Sequence, residues 1–209
     1  MLSRTLSFKS VLGKASHCGH SRLCKGFPAY FSTTSGDSSA LADARAVFLN
    51  AGFDPTSFRE QHIAWGDQDP FQHVNNVRYA RFFESARIQW MMSLGEEWGG
   101  RAQAENMIRG KGLSLILKTM EIQFRRPVTF PDTLLIGYAP LPLESDDTTA
   151  FEVTGSAYSL GQRKFVTHTK ETLVWYNYDE LRKDVPPKEA LDILVSRVRN
   201  VKSGRLHPR

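Results

Sequence analysis

The chain has 209 residues, 41% of them hydrophobic and 23% charged, which suits one domain with appendages and excludes global disorder or a collagen-like repeat. No apolar run is long enough for a membrane-spanning helix. The net charge of +5 comes from a leader: residues 1–36 hold Arg4, Lys9, Lys14, Arg22 and Lys25 and no acid, and setting those five aside leaves 22 basic against 22 acidic residues. The remainder therefore has no bulk attraction for phosphate backbones, and nucleic acid is not an expected partner.

The leader reads as an address. It is Ser-rich, basic and acid-free, with Leu2, Leu6, Phe8, Val11 and Leu12 forming a weak apolar helical face, the composition of a mitochondrial transit peptide. The stretch Tyr30-Phe31-Ser32-Thr33-Thr34 suits maturation near residues 30–36, with the matrix as destination. Cys18 and Cys24 are the only cysteines. Disulfides, Cys nucleophiles and thiolate metal sites are thereby excluded for the body. His17, His20 and these two cysteines lack the apolar residues that a zinc knuckle is built around.

In chain order, residues 40–51 have helical spacing and stop at Gly52, and Pro55 ends any continuation. Residues 37–58 are read as this helix and a linker. Arg59 to Trp65 reads as a strand with Gln61, Ile63 and Trp65 on one face. A polar loop, Gly66-Asp67-Gln68-Asp69-Pro70, follows. Asn76 to Leu94 is the longest helical stretch, closed by Gly95, and is apolar on most sides, which predicts burial on most sides. After a Gly-rich break the chain turns β-like: Leu113–Phe124, a turn over Pro127–Asp132, Thr133–Ala139, Thr148–Leu160, a tight turn at Gly161-Gln162, and Arg163–Tyr178. A short helix is predicted over 188–199, within a C-terminal segment 181–209 that ends in a basic tail. One strand, a long helix and four strands with short turns predict an α+β architecture: a five-stranded antiparallel sheet wrapped around one buried helix.

The segment Trp65-Gly66-Asp67-Gln68-Asp69-Pro70-Phe71-Gln72-His73-Val74-Asn75-Asn76-Val77-Arg78-Tyr79, followed by Phe83-Glu84-Ser85-Ala86-Arg87, resembles the acyl-CoA thioesterases of the 4-hydroxybenzoyl-CoA thioesterase type. Its His-Val-Asn-Asn-x-x-Tyr core is also similar to plant acyl-ACP thioesterases. Phe124-Arg125-Arg126-Pro127-Val128, Pro131-Asp132 and Thr172-Leu173-Val174-Trp175-Tyr176 extend the likeness across 59–180. The resemblance implies a hotdog fold, acyl thioester hydrolysis without a cofactor, and sites at the interface of a homodimer or homotetramer. The catalytic aspartate of that family is the second of its Asp-x-Asp pair, here Asp69. The amide that polarises the thioester carbonyl lies seven residues later, here the backbone of Asn76. Two departures weaken the carry-over of a His-plus-Asn mechanism: His73 sits three residues before the position that holds a His in related bacterial enzymes, and Phe71 stands where the plant enzymes have an Asn.

The same residues make chemical sense. Asp69 precedes a helix N-terminus, where unpaired N–H groups and a partial positive charge favour a carboxylate acting as base or nucleophile and can hold an oxyanion. A turn or capping role is the structural alternative for Asp69. Asp67 is read as a loop-bonding residue and Asn75 as an N-cap. His73 either orients Asp69 or the substrate, or donates to a backbone carbonyl. Glu84 is expected to pair with Arg87 at i, i+3, although some hotdog enzymes use a helix glutamate as their catalytic carboxylate. Tyr79, Phe82, Phe83 and Trp90 are core or acyl-pocket wall, with Tyr79 and Phe83 named as substrate-binding. Arg125 and Arg126 are placed on the CoA phosphates, with a solvated charge pair as the alternative there and at Arg163-Lys164. There is no Gly-x-Ser-x-Gly elbow, no complete phosphate loop and no metal-ligand spacing among His62, His73, His168 and His207. Three functions compete: an acyl-CoA thioesterase, an acyl-ACP thioesterase acting on the same phosphopantetheine arm, and a non-catalytic acyl-binding or scaffold protein.

Overall fold

The computed structural model describes residues 35–143 and 147–198. The leader with its cysteines, and the tail from 199 onward, lie outside the described residues. Helix α1 (Ser35–Asn50) leads through a 3-10 turn (Pro55–Ser57) into β1 (Arg59–His62). A second 3-10 turn (Trp65–Asp67) precedes α2 (Asn76–Arg109). Then come β2 (Leu113–Phe124), β3 (Thr133–Pro140), β4 (Ala150–Ser159), β5 (Lys164–Asn177), β6 (Arg182–Lys183) and α3 (Lys188–Ser196).

The strands form one antiparallel sheet in the order β1-β3-β4-β5-β2, and β6 adds to β5. Six strands thus replace the five expected; β6 has only two residues and no alternating pattern to announce it. Alternation sorts the sheet residues between two cores. Leu134, Ile136, Tyr138, Phe151, Val153, Leu173 and Trp175 face α2 and pack with Phe83, Ala86, Trp90 and Leu94. Leu135, Ala139 and Tyr158 face outward, where Ala44 and Phe48 of α1 cover them together with Phe53. Each fully buried large side chain contributes roughly 1.5–3 kcal/mol.

Two expectations need correction. The first strand is shorter than Arg59–Trp65: the chain leaves the sheet after Ile63, whose N–H donates to the Asp132 carbonyl at 2.9 Å, and Trp65 is 74% exposed. The long helix does not end at Gly95. It runs on and turns at Gly99–Gly100, where Gly100 has φ 71°, a left-handed conformation that glycine adopts without steric cost. The second arm, 101–109, folds back on the first. A Cβ at Gly95 would stand 2.7 Å from Met107 Sδ and 2.9 Å from Ala104 Cα, so Gly95 is a close-approach position rather than a stop.

The C-terminal helix is pinned at its end. The buried Arg197 guanidinium donates to Glu97 Oε2 at 2.6 Å, to Ser93 Oγ at 2.8 Å and to the Ser93 carbonyl at 3.0 Å, and lies 3.6 Å from Asp54 Oδ2. Asp54 in turn accepts from Trp90 Nε1 at 2.8 Å. This cluster ties the segment before β1, the middle of α2 and the end of α3 together.

Candidate active site

The loop between β1 and α2 is built from its own backbone. Asp67 Oδ2 accepts the Ala64 N–H at 2.9 Å, and the Asp67 carbonyl accepts the Asn75 N–H at 2.9 Å. Arg78 donates to the Gly66 carbonyl at 3.2 Å. Asp67 therefore holds the loop, in line with its expected role. Inside it, the Asp69 N–H donates to the His73 carbonyl and the Gln72 N–H to the Asp69 carbonyl, both at 2.9 Å. Gln72 closes this tight turn at φ 64°, a region sparsely used by residues with a side chain. Asp69 Oδ1 accepts the Phe71 N–H at 2.9 Å; Oδ2 has no partner among the described residues.

The start of α2 is nearly fully capped. Asn75, with φ −60° and ψ 134°, is the N-cap, and its Oδ1 accepts the Val77 N–H at 3.0 Å. Its carbonyl accepts the Arg78 N–H at 2.9 Å. With these two donors satisfied, the Asn76 N–H remains as a first-turn donor with no acceptor among the described residues.

Two bonds fasten this wall to a second one. The Val74 N–H donates to the Val128 carbonyl at 2.8 Å, and the Phe130 N–H donates to Gln68 Oε1 at 3.0 Å. The second wall carries Phe124, Arg125, Arg126 and Pro127, with the Arg125 and Arg126 N–H groups both on the Val166 carbonyl. Between the walls is an open cleft of about 510 Å³. Six of the seven residues singled out from the sequence line it: Asp69, His73, Asn76, Tyr79, Arg125 and Arg126. His73 is exposed there, and its backbone carbonyl braces Asp69.

The cleft also takes in Phe71 and Phe124, which the sequence reading left out of the site. Phe124 could have been found, since it directly precedes the two arginines. Phe83 does not reach the cleft. It is fully buried, its ring lies edge-on to Tyr138 at 6.2 Å, and its carbonyl accepts the Tyr138 hydroxyl at 3.1 Å.

Tyr79 lines the cleft, edge-on to Phe124 at 5.5 Å and to Phe82 at 5.9 Å. Burial first pushes its phenol up to about 12, the Thr167 hydroxyl that it faces pulls the other way, and the Asp132 charge adds to the rise. It is thus a neutral donor at physiological pH. Thr167 Oγ1 is near enough for that influence but makes no well-formed hydrogen bond.

The Glu84–Arg87 pairing is corrected. Glu84 is exposed. Arg87 points from α2 into the sheet and binds Glu171 Oε2 at 2.7 Å, with both side chains buried. Glu171 Oε1 accepts the Tyr138 hydroxyl at 2.6 Å. The inner face of α2 meets β5, so a residue distant in sequence outcompetes the i, i+3 neighbour. Among the described residues no three His, Cys, Asp or Glu converge as a metal site, and no helix is long and apolar enough to cross a membrane.

A sheet wrapped on one long helix, with a cleft at the helix N-terminus, is the hotdog arrangement, and solved structures share it. The PA5185 protein of Pseudomonas aeruginosa is 21% identical, with 69% of this chain and 93% of that one covered, at a TM-score of 0.57. A 1,4-dihydroxy-2-naphthoyl-CoA thioesterase from Synechocystis is 16% identical over 66% and 94%, at 0.53. The SAV2348 protein of Staphylococcus aureus, solved in complex with CoA, is 10% identical over 69% and 85%, at 0.56. Likeness at these identities speaks to the fold. No protein with a curated description matches the sequence significantly. Residues 63–194, more than half of the chain, match the thioesterase-like superfamily, and the chain belongs to that family. The match is to the superfamily as a whole; the 4-hydroxybenzoyl-CoA thioesterase type and the acyl-ACP likeness rest on the motif alone.

Proposed function

We propose that the protein hydrolyses acyl-CoA thioesters, with Asp69 as base or nucleophile and the Asn76 N–H as the donor to the carbonyl oxygen. The observation that carries this is the cleft itself: a carboxylate with an unengaged oxygen and an uncapped helix N–H line the same wall. In the base route Asp69 takes a proton from water, the hydroxide adds to the carbonyl carbon, and the oxygen becomes an oxyanion held by the Asn76 N–H at the positive end of α2. Collapse breaks the C–S bond, releasing the free acid and CoA thiolate. In the nucleophile route Asp69 itself adds, the C–S bond breaks to expel CoA thiolate and leave a mixed anhydride, and water then cleaves that anhydride to the free acid and the Asp69 carboxylate. His73 flanks Asp69, and Arg125 and Arg126 at the mouth suit the phosphates of CoA. Membership in a thioesterase-like family and the CoA held by a fold relative support this reading.

Incubation with acyl-CoA and a thiol-detecting reagent tests it. The two leader cysteines give a fixed background, and signal above it is released CoA. Sustained release is expected; none from any acyl-CoA contradicts the reading.

Two further readings accompany it. The exposed apolar residues Val77, Ile88 and Met92 on the outer side of α2 support a homodimer, and the acid-free leader supports the mitochondrial matrix. Light scattering that finds a monomer, or a fusion of residues 1–40 to a fluorescent protein that stays cytosolic, would count against them.

A further inference from the structure

We infer that Gln68 is a positioning residue for Asp69: its side-chain carbonyl fastens the turn that carries the carboxylate to the wall that carries Arg125 and Arg126. The inference rests on the thioesterase reading above and adds a residue to it.

The turn 69–73 is closed at its base by Gln68 and Val74, which face each other as an antiparallel pair. Both base residues are tied to the segment 128–130 of the second wall. Val74 is tied by its backbone, through the 2.8 Å bond to the Val128 carbonyl. Gln68 is tied by its side chain, through the 3.0 Å bond that Oε1 accepts from the Phe130 N–H. The Gln68 N–H turns the other way and donates to the Trp65 carbonyl at 3.3 Å, inside its own loop.

The Asn76 N–H does not depend on this tie. The Asn75 N–H on the Asp67 carbonyl and the Asn75 cap hold the start of α2 on their own. Asp69 does depend on it. Its N–H on the His73 carbonyl and its Oδ1 on the Phe71 N–H are bonds within the turn. They move with the turn and do not set where it stands. With the Gln68 bond gone, the turn is held to the second wall on the Val74 side alone and swings about that point. The carboxylate then shifts against Asn76 and against the two arginines, while both walls keep their own structure. A misplacement of about 1 Å between reacting groups costs up to about 100-fold in rate. Gln68 is only half-buried and its bond to Phe130 is exposed, so water can take over the Phe130 N–H and stability changes little.

Gln68→Met keeps the length of the side chain and replaces its amide with a thioether, at most a weak acceptor. It is expected to lower kcat for CoA release by about 10–100-fold, with KM for acyl-CoA and Tm close to the parental values. Gln68→Glu, whose carboxylate still accepts the Phe130 N–H, is expected to regain most of that loss. Two readouts separate positioning from general damage. In an Asp69→Asn background, Gln68→Met should lower kcat no further, because a residue that acts through Asp69 has nothing left to place. Amide exchange at Phe130 should speed up in Gln68→Met and not in Gln68→Glu, whether or not the chain turns over acyl-CoA. A Gln68→Met variant with parental kcat, or losses that multiply in the double variant, overturn the positioning role and leave the thioesterase reading standing. Unchanged exchange at Phe130 in Gln68→Met overturns the tie itself. A parent chain that releases no CoA, with Phe130 exchange responding as described, overturns the thioesterase reading and the positioning role together and leaves the bond as a structural tie.

Discussion

Asn76→Pro is expected to lower kcat by about 10²–10³-fold while leaving Tm close to that of the parent chain, the scale of removing one oxyanion donor. Asn76 is the first residue of α2, where proline is well tolerated because the missing N–H has no helical acceptor. The preceding residue is also compatible: Asn75 already has φ −60° and ψ 134°, the extended conformation that proline imposes on its neighbour. Beyond the side-chain amide, the substitution therefore deletes the backbone N–H from the cleft and little else. Asn76→Ala is the matched control, since it removes the side chain and keeps the N–H, and it should turn over near the parental rate. Steady-state CoA release and thermal melts on both variants check this. Equal rates for the two variants would show that the backbone donor at 76 plays no part.

Glu171→Leu is expected to destabilise the protein by about 3–5 kcal/mol, the cost of leaving a buried charge without its partner. The Arg87 guanidinium would lose its ion-pair partner at 2.7 Å inside the helix–sheet interface, and the Tyr138 hydroxyl would lose its acceptor at 2.6 Å. Tyr138 keeps the Phe83 carbonyl, and burial, the largest cause of its raised phenol pKa, persists when the Glu171 charge is gone, so it stays a neutral donor. The loss corresponds to a fall in Tm of roughly 6–20 °C for a domain of this size. The double variant Arg87→Met, Glu171→Leu removes both charges and should recover most of that loss, because an apolar pair of similar volume avoids the desolvation penalty. Denaturant unfolding of the single and double variants measures both. A single variant as stable as the parent would mean that water or another group satisfies Arg87 on its own.

What the sequence revealed and what it hid follow from range. The boundaries of β2 were legible to the residue, since Gly112 and the Arg125-Arg126-Pro127 run bracket a continuous β-prone stretch. The helix start at Asn76 was legible because Asn75 is a strong capping residue. Local signals failed where a distant element decided the outcome. Gly95 looked like a helix stop, but its missing side chain makes room for Ala104 and Met107 of the returning arm. Arg87 looked like the partner of Glu84, but its partner is 84 residues away on β5. Phe83 looked like pocket wall, and helical periodicity alone could not separate the sheet-facing side of α2 from the cleft-facing side. The loop motif brought Asp69, His73, Asn76 and Tyr79 to one place because all four belong to one continuous turn and helix start. Phe71 was missed because an aromatic residue by itself gives no sign of whether it lines a cleft or fills a core, whereas Phe124 had a signal in its place directly before Arg125 and Arg126.

The central claim, that Asp69 carries the chemistry, is tested most directly by CoA release from Asp69→Asn and Glu84→Gln measured side by side, at equal concentrations of folded protein. Asp69 lines the cleft with Asn76, whereas Glu84 is exposed on the helix and has no part in the buried ion pair. The account predicts that Asp69→Asn loses about 10²-fold or more in kcat, the scale of losing a general base, with an unchanged melting temperature. It predicts that Glu84→Gln turns over and melts like the parent. A folded Glu84→Gln without activity beside a fully active Asp69→Asn would contradict the account and move the catalytic carboxylate to the helix.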